Sequence, residues 1–130
     1  MKLMDSVNAY LAAEEMSRQT WPYDLALAVA KIKRATKEDF DFFVQKEQEL
    51  VKKYAALDEH GDVRLTPQRT FVFKDPDQRS EYERARKELG DTSLGDRPLH
   101  FRVKAPAEIK PAYIEALENF LEFTAEGART

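Results

Sequence analysis

Between Pro22 and Gly61 the chain contains neither glycine nor proline, the two residues that most readily interrupt a helix. Within that run apolar residues recur at Leu25, Ala28, Val29, Ile32, Ala35, Phe40, Phe43, Leu50, Val51, Tyr54 and Leu57. Steps of three, four and seven put them in one stripe along one helix face. The spacing predicts a single helix over 22–57, about 54 Å long at 1.5 Å per residue. Pro22 suits its first position, where a backbone N–H would lack a partner anyway. Thr36-Lys37-Glu38-Asp39 has the composition of a second start, a cap followed by acidic residues. Continuity is favoured because no helix breaker accompanies it. A rod of this length overhangs a small domain, and a long exposed apolar stripe is unusual on a monomer. A symmetric homodimer is therefore expected.

The rest of the chain is read around that rod as one domain over 1–123, with 124–130 as a flexible tail. A helix is predicted over 5–18, capped by Asp5 or Ser6, with Val7, Tyr10, Leu11 and Met16 on its apolar face. Gly61 marks a turn after the long helix. Val63-Arg64-Leu65 and Thr70-Phe71-Val72-Phe73 have strand composition, with a turn at 66–69 between them. Asp75-Pro76-Asp77-Gln78 has the cap and proline of another helix start, and Tyr82, Ala85 and Leu89 give that helix a thin apolar face. Glu83–Lys87 and Arg84–Glu88 are charge pairs four residues apart. Leu99 to Val103 alternates apolar and polar residues, which predicts a third strand paired with the hairpin. A last helix starts near Pro111 and buries Ile114, Leu117, Phe120 and Leu121. The expected class is α+β and mainly helical: a long N-terminal helical hairpin, a small antiparallel sheet and two further helices.

Charge and composition narrow the function. There is no cysteine, which removes disulfides, iron–sulfur clusters and thiolate zinc sites and fits a reducing cytoplasm. No secretory leader or membrane span is evident, so a location in the host cell cytoplasm is expected. The formal net charge is −3. Residues 1–57 carry nine basic and nine acidic side chains, residues 58–104 ten and ten, and residues 105–130 two and five. No segment has the basic excess that phosphate binding needs.

Asp58, His60 and Asp62 around Gly61 are acceptable metal ligands in type. Counted from Asp58, however, Gly61 falls at position 4 and Arg69 at position 12, where a calcium loop requires glycine at 6 and glutamate at 12. The stretch is read as an acidic turn. Neither His60 nor His100 has a sequence-level nucleophile or orienting partner, and no glycine-rich phosphate loop is present. No enzyme activity, metal or cofactor is expected.

Two groups of side chains are candidates for binding a partner. Trp21 and Tyr23 flank the start of the long helix, and large aromatics often anchor interfaces. Arg64, Arg69 and Lys74 surround Phe71 and Phe73 on the hairpin. Rings near cations also bind single-stranded nucleic acid or a nucleotide. Alternation puts Phe71 and Phe73 on one face, which favours packing against the helices.

The stretches "MKL", "WPYDLALAVAKIKRA", "QELVKKYAALDEHGDV" and "IKPAYIEALENFLEF", in that order and spacing, resemble a family of small, uncharacterised proteins of tailed bacteriophages and prophages. The middle stretch "RLTPQRTFVFKDPDQ" is richer in aromatic and strand-forming residues than that family. The resemblance implies a viral origin and a role in phage–host biology, and carries no catalytic residue. The expected function is a phage-encoded accessory protein that binds a host or phage protein, with nucleic-acid or nucleotide binding as the alternative.

Overall fold

The apolar stripe forms one unbroken helix, α2 (Tyr23–Tyr54), in the computed structural model, which describes residues 1–95 and 99–124. The tail expected at 124–130 lies, beyond Thr124, outside the described residues. Thr36, the candidate break, sits inside α2 and is buried. Its Oγ1 donates to the Ile32 carbonyl one turn back, at 2.7 Å, so the hydroxyl is satisfied without ending the helix.

The first helix, α1 (Leu3–Met16), starts earlier than its sequence suggests. Asp5 is not the cap but lies in the first turn, where its carboxylate accepts from the Lys2 backbone N–H at 2.8 Å. Ser6 is fully buried. The buried face of α1 is built largely from Ala9, Ala12 and Ala13, whereas Leu11 is 49% exposed. Small side chains let α1 lie close against α2. The two run antiparallel, with Ser6 beside Asp39 and Glu14 beside Lys33.

Two apolar clusters flank the polar pair Ser6 and Thr36. The larger joins Ala9, Ala13, Met16, Leu25, Val29 and Ile32 to Tyr113, Leu117 and Phe120. The smaller joins Leu3 and Val7 to Phe43. Beyond Asp75, whose carboxylate accepts from the Asp77 N–H at 3.0 Å, a 3-10 turn (Pro76–Gln78) leads into α3 (Arg79–Gly90). Lys87 on α3 pairs with Asp91 at 2.7 Å, and Arg86 with Glu47 of α2, so its ties differ from the expected Glu83–Lys87 contact.

The sheet departs most from expectation. Strand β1 (Phe101–Lys104) pairs in parallel, not antiparallel, with β2 (Leu121–Thr124), Phe101 opposite Leu121 and Lys104 opposite Thr124. Residues 105–120, including helix α4 (Pro111–Leu117), carry the chain back to the same end, the crossover that a parallel pair requires. The helix ends before Phe120 and Leu121, which are buried from outside it, while Ile114 is 42% exposed. The expected hairpin does not join this sheet. It forms a separate unit of isolated bridges.

Candidate partner-binding surface

Three extended segments follow α2 and close on one another. The Ala56 N–H donates to the Val72 carbonyl (2.7 Å), Val72 N–H to Arg64 (3.1 Å), and Arg64 N–H to Ala56 (2.9 Å). Each segment is thus paired with both others, and the backbone groups of all three residues are used. The bridges Ala55–Phe73, Leu57–Val63 and Leu65–Phe71 flank this ring. Side chains alternate across an extended backbone, and bridged residues share a face. Ala55, Leu57, Val63, Leu65, Phe71 and Phe73 therefore share one face, and Ala56, Arg64 and Val72 the other.

Two turns hold the segments in register. In the first, the Asp58 carboxylate accepts from the N–H groups of His60 (2.8 Å) and Asp62 (3.0 Å), and Gly61 takes φ +82°. The acidic stretch is thus a carboxylate-braced turn, with glycine where a left-handed backbone is needed. In the second, the Thr66 and Thr70 hydroxyls lie 2.7 Å apart and Arg69 has φ +64°. Among the described residues no three metal-ligating side chains come together.

Tyr82 of α3 fixes the apolar face to the helices. Its ring meets Phe71 edge-on at 5.0 Å, Phe73 at 5.7 Å and Tyr54, at the end of α2, at 6.0 Å. Phe71 and Phe73 contact each other at 4.7 Å. The Arg79 guanidinium lies 5.2 Å over the Phe73 ring, a cation–π contact. Burial among these rings, and then the nearby Glu47 carboxylate, push the Tyr82 phenol above its usual range, against the opposing pull of Arg86.

The same face continues beyond the cluster into exposed apolar side chains, Leu65 at 61% and Leu57 at 42%. Val72 is exposed on the opposite face, beside Arg64. Leu57 was expected in the apolar stripe of the long helix, but α2 ends at Tyr54 and Leu57 bridges Val63 instead; sequence reasoning singled out neither Leu65 nor Val72 for binding, nor Tyr82 as the ring that organises the cluster. Leu65 was legible in principle, since it is two residues from Val63 on a strand-like run.

The expected partner-binding residues divide into two places. Phe71 and Phe73 are half-buried in the aromatic cluster; Arg64, Arg69 and Lys74 are exposed, but Arg64 lies on the opposite face of the unit, and the cation over Phe73 is Arg79 instead. Trp21 and Tyr23 lie at the other end of α2, about 46 Å away at 1.5 Å per residue. Trp21 is tied down: its Nε1–H donates to the Met16 carbonyl at 2.8 Å and its ring meets Tyr113 edge-on at 6.5 Å. Tyr23 is 77% exposed. No helix among the described residues is long and apolar enough to cross a membrane. No protein-family model, curated protein or solved structure matches the chain.

Proposed function

We propose that this chain is a phage-encoded, non-catalytic accessory protein of the host cell cytoplasm. It acts by binding another protein, a host-defence component or a phage assembly partner, and does so as a homodimer. The phage assignment is supported by the order and spacing of the four stretches quoted above. The binding assignment is supported chiefly by one observation: a face anchored by Phe71, Phe73 and Tyr82 extends into the exposed leucines Leu57 and Leu65. Apolar side chains held on a fixed backbone lose little freedom on docking, and an exposed apolar patch beside aromatic rings is a common feature of interaction surfaces.

The test is capture of partners from host lysate by tagged protein, with and without nuclease, compared with a Leu57→Glu/Leu65→Glu variant. Both substitutions are at exposed positions and leave the Tyr82 cluster in place. One stoichiometric protein bound by the parent chain and lost in the variant is the expected result. Capture unaffected by the two glutamates removes this surface from the mechanism. Capture that vanishes with nuclease, or weakens steeply with salt, moves the function to nucleic acid.

A further inference from the structure

The parallel sheet has two edges, and they differ in kind. The Phe101 N–H donates to the Phe120 carbonyl at 2.8 Å, and the Ala105 N–H to the Thr124 carbonyl at 3.0 Å. Backbone groups of successive strand residues point to opposite edges, so Phe101 and Val103 face β2 while Arg102 and Lys104 face away. By the same register Glu122 and Thr124 face β1, and the N–H and C=O groups of Leu121 and Phe123 point outward. Among the described residues none of these outward groups of β2 has a hydrogen-bond partner. Leu121 is 5% exposed and Phe123 half-buried, so water has limited access to main-chain groups that a folded chain ordinarily pairs.

The edge of β1 is guarded. That strand lies beside α2, and its outward residues Arg102 and Lys104 are exposed cations, a common device against further pairing. The edge of β2 has no such device: its outward residues are apolar, and among the described residues no helix runs along it as α2 runs along β1. We propose that the outer edge of β2 takes up an extended segment of another protein as a third strand, whose main-chain groups pair with those of Leu121 and Phe123. The side chains set the pattern of that segment, because paired residues share a face. Leu121 and Phe123 pack on the core, so the residues opposite them are apolar. Glu122 faces solvent and already has Arg102 at 3.6 Å from its carboxylate, so the residue between is polar and uncharged. Phe123 packs on the same cluster as Trp21, which puts this edge at the Trp21 end of α2, remote from Leu57 and Leu65. The inference goes beyond the surface proposed above and does not depend on it.

The test uses the purified chain and a capped octapeptide of alternating valine and threonine with a terminal lysine for solubility. Amide exchange is followed by NMR. Saturating peptide should slow exchange at Leu121 and Phe123 by about tenfold or more, as expected when free amides enter a ladder. The fully N-methylated peptide keeps the side chains, lacks the amide donors, and should give no protection. Phe123→Pro deletes an N–H that the bond to β1 does not use, so the ladder amide of Phe101 should stay protected while peptide binding falls. Phe123→Ala controls for the lost ring and should bind more tightly than the proline variant. Leu121 and Phe123 amides that ignore the peptide at millimolar concentration overturn the inference. So does binding that is indifferent to N-methylation, or protection that appears at Arg102 instead. Protection of the same two amides that grows with protein concentration in the absence of peptide would mean that β2 pairs with its own copy, which also overturns the assignment of a partner strand. None of these outcomes bears on the Leu57/Leu65 capture experiment.

Discussion

The Ser6 hydroxyl donates to the Asp39 carboxylate at 2.6 Å, joining α1 to α2 between the two apolar clusters. The bond is one of two polar ties between the helices of the hairpin described above, the other being Glu14 to Lys33. Ser6→Ala leaves the carboxylate without this donor, and should lower the unfolding free energy by about 1–3 kcal/mol. Urea melts of the single and double variants with Asp39→Asn check it. Coupling between the two sites is the expected sign that they act as a pair.

Glu14 should make the hairpin sensitive to acid. Its carboxylate accepts from Lys33 of α2 and from Arg18, both at 2.7 Å, and these cations hold it below the usual glutamate value, Lys33 contributing most. A depressed carboxyl contributes stability in full above the unfolded value of 4.5 and loses it as pH falls through the folded value. Glu14→Gln should be less stable than the parent at neutral pH, and that difference should shrink below pH 4.5. Melting curves over an acid series measure it. A constant difference across the series would mean that the ion pair contributes nothing.

Arg69 holds a left-handed backbone, φ +64°, that a side chain disfavours. Arg69→Gly should relieve this and stabilise the hairpin unit by roughly 0.5–1 kcal/mol, part of the gain being offset by a freer unfolded chain. If Arg69 also touches the partner, the same change should weaken capture while raising the melting temperature. Those opposite signs distinguish a contact residue from a structural one.

Tyr82 is the ring on which the hairpin unit rests. Tyr82→Ala removes contacts to Phe71, Phe73 and Tyr54 together and should cost about 2–4 kcal/mol. The loss should fall mainly on residues 55–74, seen as faster amide exchange there with α1 and the first half of α2 unchanged. Tyr82→Phe keeps the ring contacts and should stay within about 1 kcal/mol of the parent.

The helices were largely legible because their signals are local. Pro22, the uninterrupted stripe and Asp75-Pro76 each act within a few residues of where they stand. The parallel sheet was not, for a physical reason. "IEALENFLEF" keeps helical spacing through Leu121, yet α4 stops at Leu117 and the last residues pair with β1 instead. A short apolar run suits either state, and only the partner strand decides. Alanines on α1 were passed over because a single methyl group adds little to an apolar stripe, although close helix packing selects it. At the candidate site, Phe71 and Phe73 were placed correctly on one packed face. Tyr82 was assigned only to the thin face of its own helix, since nothing local shows that this helix meets the hairpin.

One further consequence belongs to α2. A straight helix converts residue count into both distance and angle: every added residue lengthens it by about 1.5 Å and turns its far end by about 100°. Tyr23 and the hairpin unit are therefore geared to each other through a single shaft. A ligand that grips both ends reads the rotational phase of the shaft as well as its length. Among relatives that bind in that way, insertions and deletions in this helix should come in whole turns.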